Sequence, residues 1–428
     1  MWENNRQRNI IVNLVLAILL VVVVTVLTFG ILKVNRETAE HDGQLSEIYV
    51  QQQQEQNEAR QENLTAIQQA YEKDMATVAE YLPGIVCWGD NLTLGSSGNM
   101  SYPGALKTYL DTYFCDLYDF RSTLESVEGI GRVRWEDYKV DVPVVNMGAG
   151  KENTWTVLGR SGAVPYVLSA DVTIPTDTEP VQVQFVSAQG AEVMPLTGGN
   201  AGVNNVTLNG VEGTLTIDAS NYYSTGNAYY FTRLTPGDEA YIPAGTELVT
   251  AASSQYRDYI HIVWIGTYGT YTNADDLVKQ VKMLLSRQAK NPERFLVLGN
   301  CSVNGFSSDT YTMDAIDTAM MQAFGSQYIN VRKYLCSDGM IDAGINPTSE
   351  DRTYISQNMV PPSFTNAPGS PELNGRAFAV IGKLVYNRMD SLGYFEEVYN
   401  ELGIRETTKA ILKEDPSYFD RMLKNTLN

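Results

Sequence analysis

Histidine is almost missing from this chain: there are two in 428 residues, His41 and His261. A serine is a weak nucleophile until a neighbouring base takes its proton, so Ser-His chemistry is excluded unless one of these two reaches the site. Cysteine is nearly as sparse. Cys87, Cys115, Cys301 and Cys336 include no C-x-x-C pair, which argues against a disulfide scaffold and a zinc site. They read as buried thiols, with one disulfide as the alternative. No metal and no cofactor is implied. Basic charge is also in deficit, with 31 Lys+Arg against 50 Asp+Glu and a net charge of -19. Binding phosphates needs a basic patch, so no nucleic-acid partner is expected.

What the chain has in quantity is apolar residues, 43% of the total, enough for a stalk plus one large or two medium packed domains. Residues 1–9 are too short to be more than a cytoplasmic tail. From Ile10 to Leu32 no residue is charged, and these 23 residues rise about 35 Å as a helix, against a hydrocarbon core of about 30 Å. No small-residue cleavage site follows at residues 29–33, so the run reads as a retained transmembrane helix rather than a signal peptide. That makes the chain a single-pass membrane protein with its large domain extracytoplasmic. Residues 33–82, rich in Glu, Gln and Ala, read as a helical stalk. Leu64, Ile67, Tyr71, Met75, Val78 and Leu82 form a seam suited to a coiled coil and to a homo-oligomer built through it.

Beyond Pro83 the pattern changes. Apolar runs at Ile85–Trp88, Val142–Met147, Tyr259–Ile265, Phe295–Leu298 and Tyr328–Tyr334 alternate with helical stretches such as Ala105–Leu124, Asp275–Arg287 and Asp314–Phe324. This alternation predicts an α/β domain over 83–394, with a five-stranded parallel sheet covered on both faces. Ligands in such sheets sit beyond the carboxyl ends of the strands, so the loops after Trp88, Met147 and Ile265 should converge. Residues 164–256 break the pattern with short alternating runs and turn signals at Asn209-Gly210 and Pro236-Gly237, predicting a β-rich insertion that overhangs the site. Residues 395–428 read as a helical appendage.

Four short blocks carry a family resemblance: Gly89-Asp90-Asn91-Leu92, Asn146 to Asn153, Trp264 to Tyr268, and Ser370 to Gly375. Over roughly residues 80–395 the chain resembles the SGNH/GDSL hydrolases, esterases and lipases on a flavodoxin-like three-layer sandwich. The resemblance implies a serine nucleophile, a glycine and an asparagine that bind the oxyanion, and a histidine base preceded three residues earlier by an aspartate. Here those positions hold Asn91, Lys151, Tyr268, Glu372 and Gly369. All five differ. His261 lies inside a strand and Cys87 on a strand before the turn, so neither replaces the lost groups. Asp90 and Glu372 as paired carboxylates would suit glycoside hydrolysis, whereas Lys151 and Glu372 suit an ion pair.

The expected outcome is a catalytically degenerate pseudoenzyme, tethered at the cell surface, whose pocket or insertion binds a cell-envelope glycan or a partner protein. The candidate ligand-binding residues are Trp88, Asp90, Asn91, Lys151, Glu152, Trp155, Tyr268, Tyr271 and Glu372, with the aromatic ones suited to stacking on sugar rings. Two alternatives stay open: an ester hydrolase or acyltransferase using non-standard residues on acylated polysaccharide, and a structural protein assembled through the stalk.

Overall fold

The computed structural model describes residues 15–25, 39–95, 100–115, 140–218, 229–301, 313–370, 372–418 and 421. The expected transmembrane helix is overturned. Of the run from Ile10 to Leu32, residues 15–25 are described, and they form an exposed helix that rises only about 16 Å, half a hydrocarbon core. Among the described residues no helix is long and apolar enough to cross a membrane. Residues 10–14 and 26–32 lie outside the described residues.

Helix α1, Ala39–Tyr81, is continuous over 43 residues, as a stretch with one glycine and many Glu, Gln and Ala permits. Pro83 follows its end. Residues up to Ala70 belong to a separate compact unit from Tyr71 onward. In the second unit, Val78 and Leu82 of the apolar seam are buried within the chain itself.

The second unit is built on a parallel sheet of β1 (Ile85–Gly89), β2 (Val144–Gly148), β12 (Ile260–Trp264), β13 (Phe295–Leu298) and β14 (Tyr328–Ile329), in the order β2-β1-β12-β13-β14. This is the doubly wound order of flavodoxin. β1 is central and its five residues are all buried, which is why the strand reads as an unbroken apolar run. Helices cover both faces. Val86, Trp88, Val263 and Val297 share one core with α4 (Thr154–Arg160), α5 (Ala274–Leu285) and α6 (Met313–Phe324). On the other face Trp264 meets Tyr102 of α3 (Tyr102–Leu110) edge-on at 5.5 Å. The long helix α9 (Gly375–Ser391) lies against α3, where a Cβ on Gly382 would come within 2.5 Å of the Ala105 Cβ. The run Tyr328–Tyr334, expected to be wholly strand, is strand only for Tyr328–Ile329. Asn330 then caps α7 (Val331–Leu335) by accepting from the Lys333 amide at 3.0 Å.

The described parts of residues 164–256 form a separate antiparallel, barrel-like sheet of seven strands, with a two-stranded ribbon of β4 (Val172–Ile174) and β10 (Ala240–Ile242) beside it. The sheet runs β5 (Val181–Val183), β9 (Tyr229–Arg233), β8 (Val211–Ile217), β7 (Val206–Leu208), β11 (Glu247–Val249), β3 (Tyr166–Leu168), β6 (Phe185–Ser187). Its core includes Tyr166, Leu215, Phe231 and Leu248. The Asn209-Gly210 turn joins β7 to β8, and both turn residues have positive φ, 48° and 81°, as a tight hairpin requires. Trp155 packs against this core and against that of the parallel sheet. After α9, helices α10 (Glu396–Glu401) and α11 (Ile404–Glu414) complete the described part of the appendage.

Candidate functional site

The loops beyond the carboxyl ends of β1, β2, β12 and β13 are held together by close backbone approach. A Cβ on Gly89 would lie 2.3 Å from the Trp264 carbonyl oxygen, and one on Gly148 would lie 2.1 Å from the Leu94 amide nitrogen. Only hydrogen fits at either position. Asn146 adds a tie between the first two loops: its Oδ1 accepts from the Gly148 amide at 2.9 Å, and its Nδ2 donates to the Leu94 carbonyl at 3.2 Å. The insertion reaches the same place, since a Cβ on Gly198 would come within 2.2 Å of the Gly150 nitrogen.

Asp90 turns the chain from β1 into the short helix α2 (Asn91–Leu94). Its Oδ1 accepts from the Leu92 amide at 3.0 Å, as at many helix starts. Its Oδ2 is buried and has no hydrogen-bond partner, although Thr267 lies close enough to favour the charged form. Burial is the main reason that its carboxyl is pushed up to about 7; the negative charge of Glu152 adds to the rise, and the Leu92 amide and Thr267 oppose it.

Asn91 is half-buried beside this turn. Its Oδ1 accepts the Lys151 backbone N–H at 2.5 Å. Lys151 holds φ of 61°, a left-handed conformation that disfavours a side chain with a Cβ. Lys151→Gly is expected to keep the amide contact and to raise stability by about 0.5–1 kcal/mol. Urea unfolding measures this, and a destabilised variant would count against the strained backbone.

Glu152, expected to touch ligand, is instead fully buried. It pairs with Arg160 of α4 at 2.7 Å, and both side chains are 0% exposed. The Arg160 guanidinium also donates to the Met147 carbonyl at 2.9 Å and the Ala201 carbonyl at 2.9 Å, and lies 5.7 Å from the centre of the Trp88 ring. Asn153 caps α4 by accepting from the Thr156 amide at 2.9 Å, which sets the helix direction that brings Arg160 under the strand ends.

The expected aromatic rim is corrected in the same way. Trp88 and Tyr271 are 2% exposed and lie in the core, and Trp155 is half-buried between two cores. Tyr268 is half-buried as well. Its phenol is pushed up to about 12, first by burial and then by the charges of Asp90 and Glu372, which places all three in one neighbourhood. Glu372 is exposed and is held by its own loop, its carboxylate accepting from Asn366 at 3.4 Å. Among the described residues no ion pair joins it to Lys151.

Gly369, with φ of 73°, lies on a cleft of about 380 Å³ together with Ser370, Leu373, Cys301 at the end of β13, and Tyr354 and Gln357 of the α8 (Ser349–Ser356) region. Arg332 of α7 also lines the cleft, paired with Asp314 at 2.7 Å and Asp317 at 2.6 Å. Sequence reasoning missed Arg160, Arg332, Thr267 and Asn300. Arg160 lies eight residues after Glu152 in the block that follows β2, and nothing in that spacing by itself marks the pair.

The remaining nucleophile and base candidates are out of position. His261 is 1% exposed in mid-strand, its Nε2–H donates to the Tyr256 carbonyl at 3.1 Å, and burial lowers it to about 4. The Cys87 thiol is buried and pushed up to about 12, chiefly by desolvation. Comparison of the chain with protein-family models, with curated proteins and with solved structures finds no match.

Proposed function

We propose that this chain is a binding protein on a hydrolase-type frame, whose strand-end site holds a hydroxyl-rich, glycan-like ligand without turning it over. The observation that carries the reading is the contact between the Lys151 amide and the Asn91 side chain. In the family that the four blocks resemble, the residue at position 91 would attack and the amide at position 151 would stabilise the resulting oxyanion. Here the donor is already satisfied by an uncharged amide oxygen, which is not a nucleophile. Among the described residues the histidine base of that family has no counterpart: His261 is buried in a strand, and Glu372 occupies the histidine position.

Binding is supported by the 380 Å³ cleft, where Tyr354, Gln357, Asn358 and Ser370 offer a ring and hydrogen-bonding groups beside apolar Met313 and Leu373. That mixture suits a sugar, which presents both CH faces and hydroxyls.

The test assays the full chain with acetyl and short-acyl esters, beside Asn91→Ala and an Asn91→Ser/Glu372→His variant, and titrates plain and acetylated oligosaccharides calorimetrically. The expected result is no turnover by the unmodified chain above that of Asn91→Ala. Oligosaccharide binding is expected to weaken about tenfold, or 1.4 kcal/mol, in Tyr354→Ala. Turnover that Asn91→Ala abolishes would overturn the reading.

A further inference from the structure

Asp90 is held at the strand ends through one carboxyl oxygen, Oδ1, while the other is buried without a partner. Its residue is 1% exposed, and Thr267 and Asn300, on the loops after the two neighbouring strands β12 and β13, are 1% and 2% exposed. The Asp90 Oδ2, the Thr267 Oγ1 and the Asn300 Oδ1 are all buried without a hydrogen-bond partner. The Asn300 side chain abuts the turn before Thr267, since a Cβ on Gly266 would fall 2.7 Å from its Nδ2. A carboxylic acid with neutral polar neighbours tolerates such a place. A carboxylate does not, because an unpaired charge in a low-dielectric interior is strongly disfavoured.

The titratable and charged groups around it offer no relief. From α3 comes Tyr102, from the loop after β2 comes Glu152, from the loop after β12 comes Tyr268, and from the end of β13 comes Cys301. The two phenols and the thiol are pushed upward by burial, so they stay neutral at and below neutrality. Glu152 is negative and already holds Arg160.

We propose that Asp90 is a proton-operated latch on the candidate site: the turns at residues 90–94, 266–267 and 299–301 close over its neutral carboxyl and part when it ionises. Opening lets water reach the charge and releases the amides that Asp90 holds, Leu92 through Oδ1 and Thr93 and Leu94 through its backbone carbonyl. The direction follows from linkage. An acid whose closed-state value is raised holds its proton longer when closed than when open. The closed state therefore loses ground as pH rises from about 4, the value of a free aspartate, to about 7, and loses no more above that. Ligand plays no part in this device, so it stands or falls apart from the binding reading.

The experiment is hydrogen exchange of the full chain between pH 4 and pH 9, corrected for the intrinsic exchange rate. Residues 91–94 are followed, with residues 378–385 of α9 as the internal reference. Protection at 91–94 is expected to fall by up to about tenfold per pH unit from about pH 4 to pH 7 and then to level off. Asp90→Asn, which preserves the cap acceptor, should remove that slope. Thr267→Val should instead carry the fall to higher pH, because it deletes a group that favours the ionised form. It also keeps the latch testable if Asp90→Asn does not fold. Equal profiles in the unmodified chain and Asp90→Asn, or an unmoved plateau in Thr267→Val, would overturn the latch.

Discussion

Replacing Arg160 by methionine is expected to lower stability by about 3–5 kcal/mol, the range for breaking one partner out of a buried ion pair. The loss has two parts. Glu152, 0% exposed with its partner, would keep a carboxylate with no cation beside it, and that carboxylate would drive unfolding or water entry. The carbonyls of Met147 and Ala201 would also lose the donors that now reach them at 2.9 Å. A Glu152→Leu/Arg160→Met double variant removes the first part and leaves the second, so it should recover more than half of the loss. Urea unfolding of the three proteins separates these contributions. A double variant as unstable as Arg160→Met would mean that the guanidinium acts mainly through the carbonyls, not through Glu152. The same variants should also loosen the insertion, because Ala201 lies within it and Met147 lies at the end of β2.

The second large effect is expected at Gly148. A Cβ there would lie 2.1 Å from the Leu94 nitrogen and 2.6 Å from both the Leu94 Cα and the Thr93 carbonyl carbon. Every one of these is backbone, so no rotamer change relieves the clash. Gly148→Ala should lower stability by about 2–3 kcal/mol as the chain shifts to admit one methyl group. It should also displace Asn91, which is one turn back along the same short helix. Gly150→Ala provides the comparison: its nearest new neighbour is the Asn91 Oδ1 at 3.3 Å, a side-chain atom that can move by a few tenths of an ångström. A loss below about 1 kcal/mol is expected there. If the two variants are equally stable, the packing of β2 against α2 is not what holds the turn.

These two predictions differ in how visible they were beforehand. Gly148 stands at the end of an apolar run, and a glycine at the carboxyl end of a buried strand points to a turn under close contact. Arg160 is unremarkable in the sequence, one polar residue in a helical stretch. Trp88 shows the same limit from the other side. β1 is covered on both faces, so Val86, Cys87 and Trp88 are all apolar in sequence, and no alternation tells which of them looks toward a helix and which toward a loop. The expectation that Trp88 borders the site failed for that reason. Tyr328–Tyr334 failed because an apolar run of that length is equally compatible with a strand and with a strand end followed by a capped helix. The exposed apolar helix at residues 15–25 is too short, within the described residues, to support the transmembrane reading.

By itself the sequence determined what depends on near neighbours in the chain. Most of the strand runs, the turn at Asn209-Gly210 and the break after Gly89 follow from backbone preferences and periodicity over a few residues. It also determined the inventory at the turn, an asparagine with no histidine in the blocks that would need one. Only the tertiary structure decided how these groups are used. It placed Glu152 inside with Arg160, put the Lys151 amide on Asn91, and left one oxygen of Asp90 buried without a partner. Burial and pairing arise where chain segments far apart in sequence converge, and desolvation is a property of that convergence, which no single stretch of residues contains.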